Sequence, residues 1–245
     1  MIPNEVQAAL VALGYSVAVD GNIGPKTREA IKDFQKRHDL KVDGHAGPLT
    51  IARLHEALAA AKPAPAIPEP GDIVPAQWMP AGRLERVICH WTAGQHRASD
   101  LDRSHYHILI EGQGGLVRGD SPISANGIGG TGKRASHTLN CNTGSIGVSL
   151  CCMAGAKEQP FDPGKAPMTA VQWERLVRVV ADLCRRYGIP VTPRTVLSHA
   201  EVQANLGIKQ RGKWDFTRLA FAPSVKGAKA CGDLLRAGVS ASLAA

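Results

Sequence analysis

Aromatic residues make up only 4% of the 245 residues, so each Trp and Tyr carries weight. No uninterrupted apolar run reaches the roughly 18 residues a membrane-spanning helix needs, which excludes a helical span and stable membrane insertion. The opening residues Met1-Ile2-Pro3-Asn4-Glu5 form neither a basic leader nor an apolar signal core, so synthesis in the cytoplasm without a signal peptide is the expectation. Cysteine occurs six times (Cys89, Cys141, Cys151, Cys152, Cys184, Cys231), without the regular spacing of a disulfide scaffold or a Cys-x-x-Cys knuckle. These thiols are expected mostly as small apolar side chains in strands and helices.

Net charge is missing from the first 60 residues, where seven Lys/Arg face seven Asp/Glu. The remaining 22 basic and 14 acidic residues carry the whole +8. A basic second part favours polyanions such as nucleic acid, anionic lipid or an anionic cell wall. No arginine-rich helix, zinc finger or aromatic-and-basic RNA motif accompanies the charge, so nucleic acid is not expected as a partner. An apolar content of 44% with 20% charged residues is ordinary for a globular protein, and the length suits one large domain or a small one plus a medium one.

An internal echo organises the N-terminal part. Asp20-Gly21-Asn22-Ile23-Gly24-Pro25-Lys26-Thr27 recurs 23 residues later as Asp43-Gly44-His45-Ala46-Gly47-Pro48-Leu49-Thr50. Asp-Gly supplies a turn, and Pro suits the first helical position because its missing N–H is not needed there. Apolar stripes at Val6, Leu10 and Leu13, at Ala30, Ile31 and Phe34, and at Ile51, Leu54 and Leu58 predict three short helices. From Val6-Gln7 through Gly14-Tyr15, both turns, Phe34-Gln35 and Leu40-Lys41-Val42-Asp43-Gly44, the stretch resembles the peptidoglycan-binding domain type 1 family. That resemblance implies a wall-anchoring role for residues 1–58; Tyr15 is a candidate contact whose alternative is a core or turn tyrosine.

Residues 59–75 read as an Ala/Pro-rich linker, because alternating Pro and Ala favour an extended spacer. A mixed α/β pattern follows over 76–222. Leu84–Cys89 reads as a strand delivering His90 at its end, and Tyr106–Ile110 as a second strand turning at Gln113-Gly114-Gly115 into Leu116-Val117. Ser145–Leu150 reads as a central apolar strand, and 170–187 as a helix with Leu176, Val180, Leu183 and Tyr187 on one face, ended by Gly188 and Pro190. Val196-Leu197-Ser198 leads into His199. Residues 223–245 are an Ala/Gly/Ser-rich tail, read as at most a short helix with no function.

His90-Trp91-Thr92-Ala93-Gly94, Ser198-His199-Ala200-Glu201 and Lys213-Trp214-Asp215 carry the chemistry. Two histidines and an aspartate from separate segments can supply three protein ligands to Zn²⁺ and leave a fourth position for water, the form of catalytic zinc sites. Each histidine taken alone has a bland reading, and His105, His107 and His137 are rival ligands. Lys213 has the alternative of a solvated lysine in the basic run Lys209, Arg211, Lys213, and Tyr106 of packing under its strand. Trp91 adjoins a candidate ligand, where it either stacks on a sugar or peptide or is buried.

Residues 84–221 resemble the amidase-2 family of zinc N-acetylmuramoyl-L-alanine amidases. The resemblance runs through His90-Trp91-Thr92-Ala93, Tyr106-His107 with its Gly turn, Ser136-His137, Asn142 to Val148, His199, and Lys213-x-Asp215. It implies an α/β amidase-2 (peptidoglycan recognition protein-like) fold, a mixed sheet flanked by helices, beside the small three-helix bundle. It assigns Zn²⁺ to His90, His199 and Asp215, oxyanion stabilisation to Lys213, and orientation of water and carbonyl to Tyr106. His137 matches a position lining the substrate cleft; Trp91, from its place next to His90 alone, is a second candidate substrate contact.

Two departures stand out. Ser149 takes the place of a glutamate that assists catalysis in some branches, and the segment Gln203–Gly212 is longer than the family's. The expectation is a monomeric modular endolysin acting on peptidoglycan glycan strands and stem peptides, at the bacterial wall or periplasm after release. The alternatives are a non-catalytic peptidoglycan sensor and a bacterial remodelling or recycling amidase.

Overall fold

The computed structural model describes residues 2–13, 15, 17–61 and 73–245, which fall into two units. The first unit holds α1 (Pro3–Ala12), α2 (Pro25–Arg37) and α3 (Pro48–Ala61), each opening on a proline. Val6, Leu10, Ile31, Phe34 and Leu54 close its core.

Two buried glutamines hold the repeated turns. The Gln7 amide Nε2 donates to Asp20 Oδ1 (2.8 Å) and Asn22 O (2.9 Å), while its Oε1 accepts from the Asp20 (3.1 Å) and Gly21 (2.8 Å) backbone N–H groups. Gln35 repeats the arrangement with Asp43 Oδ1 and His45 O (both 2.9 Å), Asp43 N (3.0 Å) and Gly44 N (2.9 Å), and adds a bond to Thr50 Oγ1 (3.1 Å). Gly21 and Gly44 sit at φ +77° and +68°, which only glycine adopts without strain. The Gln7 amide and turn N–H groups hold the Asp20 carboxyl below the usual carboxylate range; the His45 N–H, then Gln35, do so for Asp43. Replacing Gln35 by Ala strands two backbone donors and the acceptors its amide served. It is expected to destabilise residues 2–61 by about 2–4 kcal/mol. Residue-resolved thermal melting by NMR checks this; an unchanged melting point for α2 and α3 would refute it.

The second unit is built on a five-stranded sheet in the order β3-β2-β4-β1-β5. Its strands are β1 (Arg86–Trp91), β2 (Ile108–Ile110), β3 (Leu116–Arg118), β4 (Ser145–Leu150) and β5 (Val196–Ser198). The contacts of β2 with β4, β4 with β1 and β1 with β5 are parallel, and β3 runs antiparallel to β2 on one edge. Parallel strands are covered on both faces, and here the two faces differ in purpose. Val87, Cys89, Trp91, Ile108, Ile110, Ile146, Val148, Leu150 and Val196 enter the main apolar core. That core is shared with α5 (Ala170–Tyr187) and α7 (Ala228–Ala244). On the opposite face, Ile88 and Leu197 join Cys141 and Val202 in a smaller cluster beside His90 and Ser149. Helix α5 has the extent read from the sequence, capped by the Thr169/Gln172 pair and by Gly188 at φ +64°. All six cysteines are buried free thiols. No helix among the described residues is long and apolar enough to cross a membrane.

Four readings change. Strand β1 begins at Arg86 and passes through His90 to Trp91, so His90 lies within the strand. Strand β2 begins at Ile108; Tyr106 instead ends α4 (Asp100–His105), a turn of helix opened by a Ser99/Asp102 capping box. The stretch read as linker is structured at both ends. Helix α3 continues to Ala61, and Ile73 and Val74 N–H groups donate to Asp182 Oδ2 at 2.6 and 3.0 Å; residues 62–72 lie outside the described residues. The C-terminal residues form the 17-residue α7, with Cys231, Leu235 and Val239 buried in the main core.

Candidate metal centre and its groove

The alternation of β1 turns His90 away from the main core, onto the sheet face where it pairs with Ser149 of β4. Strand β5 ends at Ser198, and a single 3₁₀ turn, His199–Glu201, presents His199 toward the same spot before α6 (Val202–Leu206). Asp215 arrives on a turn just before Phe216, whose backbone is left-handed at φ +61°.

Among the described residues, one ligand atom from each of His90, His199 and Asp215 lies within 4.8 Å of the others. His90 Nδ1 stands 3.6 Å and His199 Nδ1 3.9 Å from Asp215 Oδ2. Tetrahedral coordination at zinc–ligand distances near 2.0–2.1 Å requires ligand separations of about 3.4 Å, so the two distances to Asp215 Oδ2 lie within about half an ångström of that value. His90 Nδ1 is fully buried without a hydrogen-bond partner, the condition of a nitrogen aimed at an ion. Two imidazoles and a carboxylate are a donor set suited to Zn²⁺.

Electrostatics favour the ligand forms of the histidines. Burial, then the neighbouring His199, Lys213 and His107, push the His90 pKa well below its ordinary value. Burial likewise lowers His199, opposed by Asp215 and Gln210, so both rings are held neutral. Burial raises the Asp215 pKa against the opposing influence of His199 and Lys213. The Trp91 N–H also donates to Asp215 Oδ2, at 3.4 Å.

Against the His199 side of this cluster lies a groove of about 510 Å³ lined by Ser136, His137, Leu139, Asn142, Arg211 and Lys213, with His199 in its wall. Lys213 is exposed on irregular chain two residues before the buried Asp215, and its charge is felt at that carboxyl. The Tyr106 ring centroid lies 5.2 Å from that of His90. Burial chiefly, then the Asp215 charge, raise the Tyr106 pKa, against a smaller opposing effect of Ser149, so the phenol keeps its proton.

His137 is nearly buried, with Nδ1 3.3 Å from His90 Nε2 and 2.9 Å from Thr138 Oγ1. Its ring lies over Gly147, where an added Cβ would fall 2.5 Å from it. His107 Nδ1 accepts from the Gly147 N–H at 2.9 Å, which ties this ring to β4. The His105 ring faces Leu101 O within its own helix. Trp91 requires a correction. Period-two alternation places its ring on the core face, 6% exposed and edge-on to Trp214 and Phe216, so no ring face is left for a substrate.

Residues 80–215 match the family model described as N-acetylmuramoyl-L-alanine amidase, more than half of the chain. The chain belongs to that family. Residues 4–54 of this amidase-family chain match a peptidoglycan binding domain model. A curated relative, the zinc D-Ala-D-Ala carboxypeptidase of Streptomyces albus G, is 30% identical over 137 residues, covering 56% of this chain and 46% of that protein. The chain thus spans about half the length of the curated relative it matches. Among solved structures, the N-acetylmuramyl-L-alanine amidase AmiD from E. coli, in complex with a substrate, aligns at TM-score 0.35 and 21% identity over 49% of this chain and 50% of that one. The endolysin amidase LysCS from Clostridium intestinale aligns at TM-score 0.34 and 17% identity, covering 56% and 94% of the respective chains.

Residues that support the amidase-family site were missed by motif reading. Glu201 is buried and accepts from the Ser198 N–H at 2.9 Å, closing a capping box that the Ser-x-x-Glu spacing signals. Arg236 of α7 then clamps Glu201, with Nη2 on Oε1 at 3.0 Å and Nη1 on Oε2 at 3.2 Å, and its Nη1 also donates to Val196 O at 3.0 Å. Gly232 gives Glu201 room, since a Cβ there would collide with the carboxylate. Replacing Arg236 by Met leaves that carboxylate buried and unpaired. The variant is expected to lose about 3–5 kcal/mol of stability, measured by denaturant unfolding followed through the Trp residues. A loss below about 1 kcal/mol would show that the pair does not hold the His199 turn.

Proposed function

We propose that this chain is a zinc-dependent N-acetylmuramoyl-L-alanine amidase working as a modular wall-degrading endolysin. Residues 1–58 hold the wall, and residues 76–222, completed by α7, cut the amide between N-acetylmuramic acid and L-alanine. The observation that carries this reading is the convergence of His90, His199 and Asp215, with His199 and Lys213 lining a groove and the Tyr106 ring beside that of His90. Membership of the amidase family and the matched peptidoglycan binding domain support it.

When bound, Zn²⁺ supplies Lewis acidity, polarising a carbonyl and lowering the pKa of water to about 7. His90, His199 and Asp215 would hold the ion through two neutral nitrogens and one carboxylate. Lys213, lining the groove with its charge felt at all three ligands, stabilises the negative charge that develops on the amide oxygen. Tyr106, protonated across the neutral range, donates a hydrogen bond that orients the attacked carbonyl and water. Ser149 has no proton-transfer capacity near neutrality, so Tyr106 and Lys213 take the place of the glutamate of other branches. His137 and the cation of Arg211 line the path of the stem peptide. Wall binding by the first unit raises the local concentration of the second at its polymer substrate. Excess positive charge beyond residue 60 adds a salt-sensitive attraction to an anionic envelope.

Digestion of purified sacculi followed by mass spectrometry is expected to reveal new L-alanine amino termini without new reducing sugars. The activity should vanish with a chelator and return with Zn²⁺. Release of free D-alanine would instead assign the activity named for the Streptomyces relative, and wall binding without cleavage would leave a sensor. Separately, Lys213→Ala is expected to lower kcat about 10²–10³-fold with the fold intact. A kcat within a few-fold of wild type would remove Lys213 from the reaction.

A further inference from the structure

The wall of the groove holds a side chain that the motifs do not include in the site. Gln210 is 8% exposed and lies in the Gln203–Gly212 segment, between His199 and Asp215 in the chain. Its Oε1 lies 3.0 Å from His199 Nε2. Its Nε2 donates to Leu139 O at 3.0 Å and to Ile208 O at 3.3 Å, and its backbone N–H donates to Gln203 Oε1 at 2.9 Å.

These contacts decide which way the amide faces. Two carbonyl oxygens can be met only by the NH₂ group, so the oxygen must face the imidazole. An oxygen acceptor there requires the proton of neutral His199 to sit on Nε2. The lone pair is then on Nδ1, the nitrogen 3.9 Å from Asp215 Oδ2 and turned toward the metal-binding group.

We infer that Gln210 is a positioning residue that fixes the tautomer and ring orientation of His199 for metal binding. Because its NH₂ is anchored on Leu139 O, it also ties this ligand to the groove wall, where Leu139 and Arg211 lie. The inference rests on the metal reading proposed above. Gln210→Met keeps the length and volume of the side chain and removes both the strong acceptor and the anchoring donors. Its Zn²⁺ affinity, measured on the full chain by competition with a chelator of known affinity, is expected to fall 10–100-fold. With saturating Zn²⁺, kcat should fall while KM stays within about twofold.

A twofold or smaller change in Zn²⁺ affinity overturns the role of Gln210 alone. Failure of the wild-type chain to bind Zn²⁺ overturns the metal reading and this one with it. Should Gln210→Met fail to fold, the wild-type protein freed of metal still decides through ¹⁵N–¹H correlation of its imidazole nitrogens. His199 is expected as a single Nε2–H tautomer, and an Nδ1–H form or a mixture of the two would overturn the inference.

Discussion

Everything in the second unit depends on the two-residue alternation of β1. Val87, Cys89 and Trp91 point into the helix-covered core, and Ile88 and His90 point the other way. A one-residue slip in register would exchange these sets, placing the imidazole of a candidate ligand in hydrocarbon and an indole in the candidate site. Two parallel neighbours pin the register, with β4 and β5 on either side of β1. The candidate metal centre is thus specified by the same packing that stabilises the sheet.

Burial then does a second job. A group of two histidines and one aspartate placed in water would titrate near ordinary values and bind protons in competition with metal. Buried against the sheet, the imidazoles are held neutral and His90 Nδ1 is left without a hydrogen-bond partner. The lysine that completes the electrostatics stays exposed at the groove. Its charge therefore reaches the site without incurring the desolvation cost of a buried cation.

Much of this was legible in the sequence, for definable reasons. Residues of extreme local preference announce themselves: Pro25 and Pro48 at helix starts, Gly188 at a helix end, the alternating β1 and β4 segments, and the His90, His199 and Asp215 motifs. What escaped was long-range and polar. Gln7 and Gln35 look like ordinary surface residues until the turns fold back on them. Tyr106 was read into a strand because its neighbours are apolar, whereas Ser99 and Asp102 cap a short helix that ends on it. Trp91 adjoins a ligand in sequence, and adjacency along a strand means opposition across the sheet. Helix α7 is poor in strongly apolar residues, and its partners on α5 and β5 lie far away in the chain, so composition suggested a tail.

The position of α7 bears on how chains of this family can be recombined. The span recognisable as the amidase family ends at residue 215, yet Arg236 lies beyond it and neutralises the buried Glu201 beneath the His199 turn. The portable cassette is therefore longer than its recognisable signature. A chimaera joined at the family boundary would inherit all three candidate ligands but strand a carboxylate inside the protein, and a graft ending after Ala244 would not.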